Sequence, residues 1–173
     1  MTYYLQPGIP HGWDDPRLLE SFPHYRNLLD GKTVAFYKIA KTITVPELDG
    51  DLSIDDLLQM HADARVKFRD EVAKMQTLEE FEQAAVPSGP SFLDLKIKLA
   101  KEYLKSCNFC ENQCDVDRTQ GQLGECGVPA EACVAWTDIG MGEESILVPS
   151  GGLFFYGCTL KCVFCQNFNF SQE

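Results

Sequence analysis

Cys158, Cys162 and Cys165, spaced Cys-x3-Cys-x2-Cys, directly follow the apolar run Gly151-Gly-Leu-Phe-Phe-Tyr-Gly157. Three thiolates within eight residues point to a metal site. Soft sulfur donors on one short loop can each take a different iron of a [4Fe-4S] cube, which leaves the fourth iron without a protein thiolate. An open iron can hold a substrate. A bacterial ferredoxin run has a fourth close cysteine followed by proline. Here Cys165 is followed by Gln166, Asn167 and Phe168, with no further cysteine. The pattern favours a substrate-binding cluster over simple electron transfer.

A second array lies upstream. Cys107, Cys110, Cys114 and Cys126, spaced x2, x3 and x11, offer the four soft ligands of a tetrahedral zinc or of an auxiliary iron–sulfur cluster. Spacing alone does not choose between them. Gly121, Gly124 and Gly127 suit turns that would bring Cys126 back toward the first three, and Asp115 or Asp117 can accept turn hydrogen bonds. The blander reading is four reduced thiols in a polar loop. Metal is favoured because such a loop has little core of its own. Cys133, in the apolar run Ala132-Cys-Val-Ala-Trp136, reads as an ordinary buried thiol.

Phe164 immediately precedes the third cysteine of the loop, and this order of strand, cysteine loop and aromatic resembles the radical S-adenosylmethionine (radical SAM) superfamily. The upstream segment Cys107-Asn-Phe-Cys110-Glu-Asn-Gln-Cys114-Asp-Val-Asp-Arg118-Thr-Gln-Gly121-Gln-Leu-Gly124-Glu-Cys126 narrows the likeness. With Gly-Gly-Leu-Phe-Phe-Tyr-Gly-Cys158, Cys165-Gln-Asn167 and Phe170-Ser-Gln172, it resembles the pyruvate formate-lyase activating enzyme-like group. The likeness covers roughly residues 91–173, and its two cysteine arrays agree in order and spacing.

The resemblance implies that Cys158, Cys162 and Cys165 hold a [4Fe-4S] cluster whose open iron chelates S-adenosyl-L-methionine. Reductive cleavage of that cofactor would yield a 5′-deoxyadenosyl radical that abstracts hydrogen from a substrate. The implied partners are a glycyl-radical enzyme as protein substrate and a low-potential electron donor. The resemblance also places Phe164 beside the adenine; the alternative is a hydrophobic plug over the cluster. It implies a partial parallel (β/α) barrel whose first strand is Gly152 to Tyr156, with the site at that strand's C-terminal end, where ligands sit on parallel α/β sheets. Only eight residues follow Cys165, whereas radical SAM enzymes continue through several more strands and helices. The chain alone is therefore expected not to enclose S-adenosylmethionine.

Two other readings of the arrays stay open: a non-catalytic zinc or iron–sulfur binding module, and an electron-transfer protein with two redox centres. No dinucleotide fingerprint follows Gly140-Met-Gly142, no phosphate loop occurs, and the three histidines do not cluster.

Composition bounds these readings. With 173 residues, 45% hydrophobic and 11% aromatic, the chain can bury a core in one or two domains. A formal net charge of −11 disfavours a broad nucleic-acid surface, which needs clustered Lys and Arg. The N-terminus shows no basic region and no apolar core for export, and no stretch reaches the length of a membrane span. Seven of the eight cysteines fall in metal-like arrays rather than a disulfide framework, so a reducing cytoplasm is expected. The sequon Asn169-Phe-Ser171 is then coincidental.

The elements that must position the cysteines give an α/β chain in three parts: a mostly helical region 1–90, a helix with the four-cysteine module 91–131, and the start of a radical SAM core 132–173. Arg17 to Asp30 reads as a helix interrupted near Pro23, and Thr33 to Val45 as one or two strands. Ser53 with Asp56 starts a helix whose packing stripe is Ile54, Leu57, Leu58, His61, Arg65, Phe68, Val72 and Met75, with His61 structural. Thr77 with Glu80 starts a short helix that stops before Val86-Pro-Ser-Gly-Pro90, the expected domain boundary. Ser91 with Asp94 caps a helix whose positions Phe92, Leu95, Leu99 and Tyr103 lead to Cys107. Lys96, Lys98, Lys101 and Lys105 line its other side as a solvated face, open to an acidic electron donor. Strands are expected at Ala132 to Trp136 and Gly152 to Tyr156.

Overall fold

A computed structural model describes residues 15–75, 77–84, 87–142, 148 and 150–172. The amino-terminal stretch read for an export signal, Val86 and the Glu-Glu-Ser after Gly142 lie outside the described residues. The chain folds as two compact units, residues 24–120 and residues 1–23 with 121–173.

The unit His24–Gln120 is helical. Its main helices are α2 (Pro23–Leu29), α3 (Phe36–Thr42), α4 (Ile54–Lys74), α5 (Leu78–Glu82) and α6 (Phe92–Lys105), followed by a 3-10 turn at Arg118–Gln120; α1 (Pro16–Ser21) precedes them in the other unit. A helix leaves its first N–H groups without intrahelical partners. At α4, α5 and α6 a hydroxyl and a carboxylate three residues on satisfy them reciprocally: Ser53 with Asp56, Thr77 with Glu80, Ser91 with Asp94. Asp15 caps α1 ahead of Pro16, and Pro23 separates α1 from α2, as expected.

The core of this unit joins Ala40, Ile43 and Val45 to Leu57 and Ala64 of α4 and to Phe92, Leu95 and Leu99 of α6. Val34, Ile39 and Met75 form a second cluster. The α4 stripe is a packing face through Leu57 and Phe68, whereas Leu58 and Arg65 are exposed. His61 sits against the Phe92 ring at 5.0 Å between centroids. Burial, then Lys96 and Arg65, hold its imidazole below the usual pKa. That is a structural histidine. Lys96 Nζ lies 4.6 Å from the Phe92 centroid, so its stem covers the core edge while the ammonium stays wet.

The expectation of strands at Thr33 to Val45 is corrected: residues 36–42 form α3. Ile39 and Ala40, with Ile43 four residues after Ile39, put an apolar stripe at helical spacing onto the core, and that burial overrides the β propensity of the segment. All that remains of strand pairing there is the bridge Thr44↔Ser91. Val45 N–H donates to Pro90 O (3.0 Å) and Phe92 N–H to Ile43 O (2.8 Å). The Pro/Gly segment read as a boundary thus lies inside the helical unit.

The second unit carries a two-stranded antiparallel sheet of β1 (Val134–Gly140) and β2 (Ser150–Phe155), with Val134 opposite Phe155 and Gly140 opposite Ser150. The strand expected at Ala132 to Trp136 begins two residues later and runs on to Gly140. A register shift between Val134 and Trp136 marks a bulge. Among the described residues, β2 pairs only with β1, antiparallel. Together the units make a mixed, helix-rich α/β chain. No helix among the described residues is long and apolar enough to cross a membrane.

Candidate metal centre

The Cys158 loop leaves the end of β2. Tyr156 N–H extends the hairpin by donating to Cys133 O (2.9 Å), and Gly157 N–H donates to Phe170 O (2.9 Å). Gly157 adopts φ +81°, and a Cβ placed on it would lie 2.4 Å from Cys126 O and 2.5 Å from Val128 Cγ2. Only glycine allows both that backbone and that approach. The 126–128 segment therefore seats against the base of the loop. An exposed Lys161–Glu125 pair at 3.5 Å adds little to this contact.

Within the loop, Leu160 N–H donates to Cys158 Sγ (3.4 Å) and Cys165 N–H to Cys162 O (3.2 Å). Cys165 Sγ lies 3.3 Å from Ser171 Oγ, and Gln172 Nε2 donates to Cys162 O at 3.0 Å. Ser171 ends the short helix α7 (Phe168–Ser171). Its hydroxyl, then the Asn167 backbone, hold the Cys165 thiol below its ordinary pKa. Between the cysteines the tip is apolar and exposed: Leu160 is 78%, Val163 101% and Phe164 83% exposed.

The first array begins where α6 ends. Cys107, buried, donates its N–H to Val116 O and accepts from Asp115 N–H, both at 3.0 Å. This pair of bonds closes a loop carrying Cys110 and Cys114, and the Tyr103 ring packs on Phe109 of that loop at 5.6 Å. Asp115 bonds the Ser106 hydroxyl and Asp117 accepts from Thr119 N–H, the turn roles expected of them. The buried Arg118 lies in the 3-10 turn packed near α6. Gly121 and Gly127 have positive φ, as turns there require. Cys126 belongs to the unit of the Cys158 loop, whereas Cys107, Cys110 and Cys114 belong to the helical unit.

Among the described residues, the non-glycine residues with positive φ are Gln113, Asp115 and Lys161. Each is adjacent to an array cysteine. Backbone held in a sparsely populated region concentrates at functional sites. None of the eight cysteines is in a disulfide. No group of three or more His, Cys, Asp or Glu among the described residues is gathered in ligating geometry. The donor chemistry fits a cluster or zinc, with three cysteine sulfurs on each loop and none of them in a disulfide. Ligands that assemble on the metal need not converge before it binds.

Cys133 corrects its expectation. It is exposed, its Sγ 3.8 Å from Glu131 O, because the strand segment around it builds no core to bury it. Ser171 is the residue that sequence reasoning passed over. Its signal is the segment Phe170-Ser-Gln172 that follows the cysteine loop.

Over 138 residues the chain is 38% identical to an uncharacterized protein of Methanocaldococcus jannaschii, a match covering 80% of this chain and 38% of that protein. The chain thus corresponds to well under half of that relative's length. No protein-family model matches the chain. No solved structure matches it.

Proposed function

We propose that this chain carries the cluster-binding portion of a radical SAM iron–sulfur protein of the activating-enzyme type. The observation that carries the reading is the placement of Cys158, Cys162 and Cys165, none of them in a disulfide, on one braced loop at the end of β2. The three thiolates would hold three irons. When bound, a [4Fe-4S] cluster with an open iron supplies the electron for reductive cleavage of S-adenosylmethionine and hence for hydrogen abstraction from a substrate.

The protein's own part is to hold, shield and aim. Leu160, Val163 and Phe164 form an exposed apolar rim that would exclude water and, at Phe164, lie against the adenine. On this reading the edge of β2 opposite β1 would take a parallel strand and so begin a (β/α) barrel. Cys107, Cys110, Cys114 and Cys126 would hold zinc or an auxiliary cluster. The proposed partners are a glycyl-radical enzyme and a low-potential electron donor, which the lysines of α6 would meet; the compartment proposed is the cytoplasm.

A structural metal module is the competing reading, favoured by one observation: the unit holding Cys158 has almost no buried core among its described residues. The two readings separate on the open iron. Protein reconstituted anaerobically with iron and sulfide, then reduced, should change its electron paramagnetic resonance spectrum when S-adenosylmethionine is added. A protein that takes up zinc alone, or a cluster whose spectrum is indifferent to the cofactor, contradicts the radical SAM reading.

A further inference from the structure

Ser171 is buried, at 7% exposed, in a unit whose other described side chains are partly or fully exposed. A buried hydroxyl needs a partner. Its oxygen faces Cys165 Sγ at 3.3 Å. Beyond the bonds within α7, the segment around it is tied to the loop and to the residue that follows β2: Gly157 N–H donates to Phe170 O, and Gln172 Nε2 to Cys162 O. Phe170 also packs edge-on against Phe154 of β2 at 5.8 Å, and Phe154 stacks on Trp136 of β1 at 5.2 Å. The hydroxyl is thus placed by the sheet as well as by the loop.

A serine hydroxyl carries one proton and can donate or accept. Against a free thiol either direction works. Against a sulfur ligating iron, which has lost its proton, the hydroxyl can only donate. A hydrogen bond donated to a ligating sulfur stabilises the extra negative charge of the reduced cluster, and such bonds are among the determinants of cluster potential.

We infer that Ser171 is a positioning residue for Cys165, whose O–H···S bond orients that ligand and raises the reduction potential of the cluster on the Cys158 loop. The inference rests on the iron–sulfur reading above. It goes beyond it in assigning a role to a residue outside the cysteine motif.

The test compares the full chain with S171A and S171T, each reconstituted anaerobically with ferrous iron and sulfide. Iron and labile sulfide are counted, and the midpoint potential is read by a mediated titration followed by electron paramagnetic resonance. The signal of the Cys158 loop is assigned by its loss in a Cys158→Ala, Cys162→Ala, Cys165→Ala variant. The expected result is a more negative potential in S171A at equal iron content, with S171T, which keeps the hydroxyl, restored toward the parent. If S171A loads no cluster while S171T loads normally, the hydroxyl is again the group required. Equal potentials in parent and S171A overturn the inference while leaving the cluster in place, and so does equal failure of both variants to load, which makes Ser171 a packing residue. A parent chain that loads no cluster overturns the iron–sulfur reading itself and the inference with it.

Discussion

The unit His24–Gln120 buries Phe92, Ile39, Leu57 and Leu95 below 2% exposure, whereas among the described residues of the other unit the buried side chain is Ser171. Apolar side chains are present in both. In the second unit they stand exposed: Trp136 at 51%, Ile139 at 69%, Leu153 at 65%. The helical unit can draw its stability from burial, at roughly 1.5–3 kcal/mol for each large side chain removed from water. The cysteine-bearing hairpin cannot. Its order must come from hydrogen bonds, a glycine-permitted close contact and, on the reading proposed here, metal–sulfur bonds, the pattern of small units stapled by metal.

That contrast can be broken in several ways. Loading iron and sulfide should have the largest effect and should fall on the cysteine loops, sparing the helices of the core. Amide hydrogen exchange is expected to slow strongly across residues 150–172 while α4 and α6 are unchanged. Uniform protection, or none, would remove the proposed division of labour.

Phe92→Ala should strike the opposite side. Phe92 is 1% exposed and packs against His61 and Phe68, so its removal should cost about 3–5 kcal/mol. Chemical denaturation followed by far-ultraviolet circular dichroism measures this. Iron uptake by the Cys158 loop of the folded protein should not change.

Gly157→Ala is the sharper probe of the second unit. Positive φ costs a non-glycine residue about 1–3 kcal/mol, and the added methyl would also meet Cys126 O. The expected result is reduced iron retention with an unaltered helical melt. Normal iron retention would show that the seating of 126–128 under the loop is not needed for metal.

The smallest effect belongs to a cap. Ser91→Ala should cost about 1 kcal/mol. Its hydroxyl, followed by its backbone N–H, holds the Asp94 carboxylate below the usual range. A folded-state value below the unfolded one, about 3.9, makes this contribution fully present above that pH and lost as pH falls through the folded value. The stability gap between parent and Asp94→Asn should therefore narrow on acidification below about pH 4. A gap independent of pH would contradict the capping account.

What the sequence reveals follows the range of the interactions. Capping boxes at Ser53, Thr77 and Ser91 are codes of four residues, and all three helices begin where they say. The cysteine spacings are equally local and locate both loops. Residues 36–42 are not legible in this way, because their β-branched and aromatic content hides a helical stripe whose burial depends on α4 and α6. Cys133 misleads for the converse reason: an apolar run reads as core only if something covers it, and the hairpin is not covered there. The division between Cys126 and the three earlier cysteines, and the contact between Ser171 and Cys165, are products of tertiary packing that no spacing rule encodes.

The central claim is a cluster on the Cys158 loop, and metal analysis tests it most directly. Iron, labile sulfide and zinc should be counted in the anaerobically reconstituted chain and in the Cys158→Ala, Cys162→Ala, Cys165→Ala variant. The account predicts that the variant loses about four irons and matching sulfide, with whatever metal remains identifying the occupant of the first array. Identical metal content in the two proteins would contradict it.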